Sequence, residues 1–250
     1  MPQFSIRKLV SLLSSSALIA TFVVASIPAV ASAATCTPTG FFRDGIEMSA
    51  AQIGGNVTST LDATGCNIGV YYDAASGNVS DADIFGANYF GVLVNGASVN
   101  VTDSQVHAIG EVPFNGAQHG NAIVYLNGAS GTISGNDVFD YQKNGITVSG
   151  KAANGIDPGT AVTSASVLNN VVIGEGQIDY IAQNGIQISF GASALVRGNT
   201  VSGNWYTPAG TESCGLLLYQ ANGVKTQMNH LFDNEVNFCN FGRGGGRVSL

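Results

Sequence analysis

Along most of this chain a small residue opens a short alternating apolar run, and the unit recurs. The runs read "GVYY" at Gly69, "GVLV" at Gly91, "AIVY" at Ala122, "GITV" at Gly145, "GIQI" at Gly185 and "GLLL" at Gly215. A second element follows each, with the pattern apolar-x-x-polar-x-apolar. It reads "VSDADI" at Val79, "VTDSQV" at Val101, "ISGNDV" at Ile133, "VLNNVV" at Val167, "VRGNTV" at Val196 and "LFDNEV" at Leu231. Alternation with period two is the strand signature, and self-similarity at a fixed period is the signature of a stacked repeat. The smallest unit runs 22 residues, from Gly69 to Gly91. It holds three short strands: one after the glycine, one ending at the first apolar residue of the hexamer, one beginning at the last. Three strands and three turns per coil predict an all-β, single-domain right-handed parallel β-helix. Coils stacked at about 4.8 Å would number about seven.

The hexamer must bend between its two strands. Asn136, Asn170, Asn199 and Asn234 fall at that bend, with Ala82 and Ser104 in the earlier copies. Asn tolerates the left-handed backbone that such bends need, and stacked amides can bond along a column. These asparagines are therefore read as structural. "NGITV" and "NGIQI" are read the same way, as a corner followed by a core strand.

The repeat, over roughly 69–242, resembles that of pectate lyases, polygalacturonases and alginate epimerases, the pectate lyase-like β-helix proteins. The stretch "LDATGCNIGVYYD" (Leu61–Asp73), with the "NGITV" and "NGIQI" coils, also resembles small secreted bacterial β-helix proteins of unassigned function. The resemblance implies the fold and, in the enzymes, a substrate cleft beside the first strand and the turn before it. It does not imply an activity, because this fold hosts lyases, hydrolases, epimerases and inert rods. The polygalacturonase Asn-Thr-Asp, Asp-Asp and Arg-Ile-Lys elements and the epimerase Asp-Pro-His motif are missing.

Composition adds a compartment. Residues 1–33 read as a secretory signal peptide: a basic start at Arg7 and Lys8, an apolar run from Leu9 to Val24, and Ala31-Ser32-Ala33 before the cut. A secreted, extracellular protein is expected, with no membrane span once the signal is removed. The domain plan is then 34–68 as an N-terminal cap and first coil, 69–242 as the β-helix, and 243–250 as a flexible tail. Both Arg7 and Lys8 leave with the leader and none of the 16 acidic residues does, so the remainder carries a net charge of about −9. So acidic a chain is not expected to bind nucleic acid. The four cysteines, Cys36, Cys66, Cys214 and Cys239, form an even set without Cys-x-x-Cys spacing, which favours disulfides over a metal site. Three connectivities are open; Cys36–Cys66 with Cys214–Cys239 is favoured because each pair would tie one end of the domain. No metal site or cofactor is expected. Calcium is chemically open, but no carboxylate cluster in the sequence supports it.

Function in a solenoid tends to sit where the repeat is decorated. The turn from third strand to next glycine is shortest at Ile84–Gly91 and Val138–Gly145. It is lengthened at Val106–Ala122, Val172–Gly185 and Val201–Gly215, all on one edge. Another insertion, Gly150–Val162, lies in a different turn. The short turn "DVFDYQKNG" (Asp137–Gly145) should form a floor between two loop walls. That edge offers Asp140 and Asp179 as acid/base candidates and Lys143 for charge stabilisation. His119, Tyr141, Tyr180, Gln183, Trp205 and Tyr206 are the substrate-binding candidates, since aromatic faces stack on sugar rings. Each also has a plainer role: Asp140 and Asp179 on turn amides, the tyrosines on the strand edge, Lys143 in solvent, His119 in a turn. The outward row of the first sheet should be Tyr71, Leu93, Val124, Thr147, Gln187 and Leu217. The expected function is binding of a polysaccharide or cell-surface glycan in the edge cleft by a monomer, with cleavage or modification by a lyase or glycoside hydrolase chemistry left open. The alternative is a non-catalytic extracellular structural or adhesion rod that binds a glycan or protein.

Overall fold

The computed structural model describes residues 35–150 and 162–242. The expected signal peptide, most of the Gly150–Val162 insertion and the tail 243–250 lie outside the described residues. All described residues belong to one unit, Ser32–Leu250.

An antiparallel hairpin opens the fold, β1 (Thr37–Arg43) and β2 (Ile46–Ile53), followed by β3 (Thr60–Asp62). The chain then passes through β4 (Ile68–Tyr72), β5 (Val79–Ser80) and β6 (Asp83–Phe85), and through β7 (Phe90–Asn95), β8 (Val101–Thr102) and β9 (Gln105–His107). Next come β10 (Asn121–Leu126), β11 (Ser130–Ser134) and β12 (Asp137–Phe139), then β13 (Asn144–Ser149), β14 (Ser164–Leu168) and β15 (Val171–Ile178). The last are β16 (Asn184–Ser189), β17 (Ser193–Arg197), β18 (Thr200–Tyr206), β19 (Cys214–Tyr219), β20 (Lys225–Gln227), β21 (His230–Leu231) and β22 (Val236–Phe241). No helix occurs among the described residues, so none is long and apolar enough to cross a membrane.

The strands sort into three sheets by rotation. The first has the order β1-β2-β4-β7-β10-β13-β16-β19-β22, the second β20-β17-β14-β11-β8-β5, and the third β21-β18-β15-β12-β9-β6-β3. Every pairing except β1–β2 is parallel. The protein is thus all-β with mostly parallel sheets, compatible with the expected β-helix. The glycine-led runs align as predicted: Val70, Val92, Ile123, Ile146, Ile186, Leu216 and Phe238 form one row. The glycine column is enforced by space. A Cβ on Gly185 would lie 2.2 Å from Val201 Cγ1 and 2.7 Å from the Gly215 carbonyl oxygen.

The last hexamer is in a different register from the one read in the sequence. Leu231 pairs with Val201 and Thr226 with Val196, so the sixth copy is Thr226–Leu231 and Val236 already belongs to β22. The polarity pattern of "LFDNEV" matches the repeat, but its second and third residues precede the return to the first sheet. The asparagine column is accordingly Asn136, Asn170, Asn199 and Asn229, not Asn234. The backbone N–H and Nδ2 of Asn136 both donate to Asn170 Oδ1 at 3.0 and 2.9 Å, and Asn170 bonds to Asn199 at the same two distances. Asn199 bonds in the same way to Asn229. The left-handed residue is the one before each asparagine, Gly135, Asn169, Gly198 and Met228, and before Ala82 and Ser104 in the earlier copies, Asp81 and Asp103. The ladder asparagines are there for their amides rather than for the bend.

Two apolar clusters hold the fold. One lies among the three sheets and contains Val70, Val92, Ile123, Ile146, Ile186 and their partners Ile84, Val106, Val138, Val172 and Val201. The other lies on the outer face of the first sheet. There Phe41, from the hairpin, meets the rings of Tyr71 and Phe90 at 6.0 and 6.4 Å, and Leu93 and Val124 join them. The predicted outward row Tyr71–Leu93–Val124–Thr147–Gln187–Leu217 is one register row. Its first four members are buried, so only Gln187 and Leu217 offer partly open surface. Both favoured disulfides form: Cys36–Cys66 at the hairpin end, and Cys214–Cys239 between β19 and β22.

Candidate functional site

The three lengthened turns do lie on one edge, where the chain leaves the third sheet and returns to the first. They are only partly loops. β15 and β18 run on past their neighbours and pair there, with Gly176 opposite Asn204, Gln177 opposite Trp205 and Ile178 opposite Tyr206. The 107–121 segment is a true loop. Gly116 packs against it from that loop onto the Tyr180 carbonyl, where a Cβ would sit 3.0 Å from the oxygen. The walls therefore meet above the short turn rather than standing apart.

Two buried glutamines fix these walls. Gln142 Oε1 accepts from the backbone N–H groups of Glu111 and Asn115, both at 3.1 Å, and its Nε2 donates to the Ala117 carbonyl at 2.7 Å. Gln183 Oε1 accepts from the Glu175 N–H at 2.9 Å, and its Nε2 donates to the carbonyls of Tyr141 and Gln142. Each side chain replaces several loop-to-loop backbone bonds that no strand can supply there, which is why each is wholly enclosed.

Chemistry collects beside these pins. Asp140 has φ of 50°, one of a column of left-handed residues at the exit of the third sheet that includes Ala108 and Asp233. Its carboxyl is hydrogen-bonded to that of Glu175 on β15. Partial burial, the Asp140 charge and this hydrogen bond all raise the Glu175 pKa above its ordinary 4.5, burial most. Tyr180 stands beside them: burial first, then the charges of Glu175, Asp140 and Asp179, push its phenol up. Asp179 itself is exposed, and Trp205 and Tyr206 are partly exposed on the neighbouring strand extension. Tyr206 is held by its N–H donating to Glu235 Oε2 at 3.2 Å.

The structure thus brings Asp140, Asp179 and Tyr180 together, with Trp205 and Tyr206 on the adjoining extension. It leaves Lys143 out. The Lys143 ammonium donates to the Ala182 carbonyl at 2.8 Å and makes no ion pair among the described residues. Burial alone pushes its pKa down to about 8; a carboxylate at hand would have held it up. Three expected substrate binders are turned away from solvent. Tyr141 is fully buried and donates its hydroxyl to Asn204 Oδ1 at 2.6 Å. Gln183 is spent on the loop. His119 stacks on Tyr89 with ring centroids 3.8 Å apart, and its Nε2 lies 2.6 Å from Glu111 Oε1. All three are buried and held by neighbouring protein groups.

Glu175 and Gln142 were missed in the sequence. Glu175 sits between two glycines in "VVIGEGQI", inside an insertion where the repeat gives no register. Gln142 could have been found as the polar partner that two long neighbouring loops require. Among the described residues no three His, Cys, Asp or Glu side chains converge as metal ligands. The chain matches no known family model, no curated protein and no solved structure.

Proposed function

We propose that this is a secreted right-handed parallel β-helix of about seven coils, of the pectate lyase-like kind, that binds a polysaccharide along its decorated edge without cleaving it. The observation that carries the reading is the paired extension of β15 and β18. It places Trp205 and Tyr206, partly open, alongside the acid group of Asp140, Glu175, Asp179 and Tyr180. Aromatic rings take the apolar faces of sugars, and carboxylates take their hydroxyls. The groups that would run chemistry are engaged elsewhere: Lys143 on a carbonyl, His119 on Glu111, Tyr141 on Asn204.

A second reading is supported by the Asp140–Glu175 pair, which could supply a proton to a glycosidic oxygen. Its spacing speaks against hydrolysis. Carboxyls in direct hydrogen bond are closer than the ~5–5.5 Å of retaining glycosidases and far closer than the ~6.5–9.5 Å of inverting ones. A screen of plant, algal and bacterial polysaccharides separates the readings, scoring pelleting with the polymer, reducing ends and unsaturated uronates together. Binding without turnover is expected for the wild type. Turnover that disappears in both Asp140→Asn and Glu175→Gln would replace this reading with the catalytic one.

A further inference from the structure

The two ends of the first sheet are finished differently. At one end the hairpin strand β1 is outermost, and it is a poor template for another strand. It carries Pro38, Gly40 at φ of 73°, a register shift between Pro38 and Phe42, and Arg43 at its tip. Proline, bulges and charge are the devices by which an exposed strand edge avoids pairing with a neighbour. At the other end the first sheet stops at β22, the second at β20 and the third at β21. β22 has none of these devices. Val236–Phe241 contains no proline, glycine or charged residue, and its pairing with β19 runs without a shift from Leu216 opposite Phe238 to Tyr219 opposite Phe241.

The open side of β22 follows from its bonded side. The Phe241 carbonyl accepts from the Gln220 N–H at 2.7 Å, so the Phe241 backbone faces β19. By alternation Cys239 faces β19 too, while Phe238 and Asn240 turn their backbone N–H and C=O groups away from it, beyond the last strand of the sheet. Behind this edge the core itself is open. A hollow of about 250 Å³ is lined by Leu216 of β19, Thr226 of β20, Leu231 of β21 and Phe238 of β22, with Met228 and Asn229. It draws on all three sheets, and Met228 at its rim is 78 % exposed. A stacked repeat needs a finished end, because its last unit has no neighbour to cover its apolar face.

We propose that this end is a self-association surface, where two copies of the chain join end to end through β22. Antiparallel pairing of a strand with its own copy is self-complementary under a two-fold axis, so the contact closes as a dimer and does not propagate. The open backbone groups of Phe238 and Asn240 then exchange bonds with the second copy's edge. A lone peptide strand could also add to β22, but it would leave the hollow uncovered; a second copy brings an identical apolar mouth against it. Charge permits the meeting. The chain carries a net charge of about −9, yet β20, β21 and β22 contain no Asp or Glu. In the turn between β21 and β22, Glu235 Oε2 is taken up by the N–H groups of Tyr206 and Ser213 at 3.2 and 2.8 Å. The exposed charges between residues 225 and 241 are Lys225 and Asp233, one of each sign. Such a dimer departs from the monomer expected of the sequence.

Sedimentation velocity over a concentration series tests this on the chain freed of its leader. The wild type should sediment as a dimer at about 100 μM and dissociate on dilution. Asn240→Pro removes an open-edge N–H that the single copy does not use, and Met228→Lys sets a charge on the rim of the hollow. Each should raise the dissociation constant roughly tenfold or more, with the circular dichroism unchanged. Phe42→Lys, exposed on the hairpin at the opposite end, should dimerise like the wild type. Amide exchange adds a local readout: the Asn240 N–H should be protected in the dimer and lose that protection on dilution. A wild type that stays monomeric at the highest concentration, because the chain's own residues 243–250 or nothing at all finish the end, would overturn the proposal. So would dimers that survive both Asn240→Pro and Met228→Lys, loss of the dimer in Phe42→Lys, or species that grow without limit.

Discussion

At the scale of single residues, burial decides what each polar group can do. Tyr141 and Tyr180 follow an Asp in near-identical words of the sequence, yet one hydroxyl is sealed against Asn204 and the other stands among carboxylates. The register explains it. Phe139 pairs with Ile173, so the position matching Asp140 is Gly174, and the second Asp-Tyr falls five residues further on, in the extension of β15 and its turn. The two copies are not one site repeated. Glu175 gives a residue-scale prediction. Its folded pKa is raised, so its stabilising bond to Asp140 is fully present below about pH 4.5 and is lost as pH rises through the folded value. Melting temperatures across that range should fall with rising pH more steeply in the wild type than in Glu175→Gln, whose amide cannot ionise. Parallel curves would mean that the Glu175 pKa is not raised in the fold.

At the scale of elements, the amide ladder is what the strands cannot do without. Asn170 Oδ1 accepts two bonds from Asn136, and its Nδ2 donates to the Ile133 carbonyl and to Asn199. Asn170→Ala leaves several of those groups buried without partners, at a cost of about 3 kcal/mol, or on the order of 10 °C in Tm. Asn100, whose Oδ1 accepts only the Thr132 N–H at an exposed turn, should cost under ~1 kcal/mol when changed to Ala. Thermal unfolding of both variants checks the difference, and equal losses would contradict the ladder's role. Much at this scale was legible in the sequence. The glycine runs and five of six hexamers align because the core demands one apolar residue per strand at a fixed interval. The sixth hexamer went astray because Thr226, exposed on the end strand of the second sheet, is polar where the other copies are apolar, while Leu231 offered a better match to the pattern. The site was less legible. Insertions carry no register, so nothing in the sequence showed that Glu175 would reach Asp140 or that Gln142 would close the walls.

At the scale of the whole molecule, the fold turns a linear repeat into faces of different character. Phe41 of the hairpin packs on one end of the first sheet's outer face, the strands of the second sheet are free of acid, and the edge gathers aromatics and carboxyls. Two disulfides tie the hairpin end and the last rungs of the first sheet, which suits a chain expected outside the cell. A rigid stack of this kind presents extended surface at little conformational cost on binding, which is what a long polymer requires. The central claim is that the decorated edge binds a polysaccharide, and Trp205 is the one tryptophan in the chain. Its emission therefore reports on that edge alone. Titrating the protein with a polysaccharide that pelleting shows it to bind should change Trp205 fluorescence saturably, with the same midpoint as the pelleting. Polymer binding that leaves the emission of Trp205 unaltered would contradict the account.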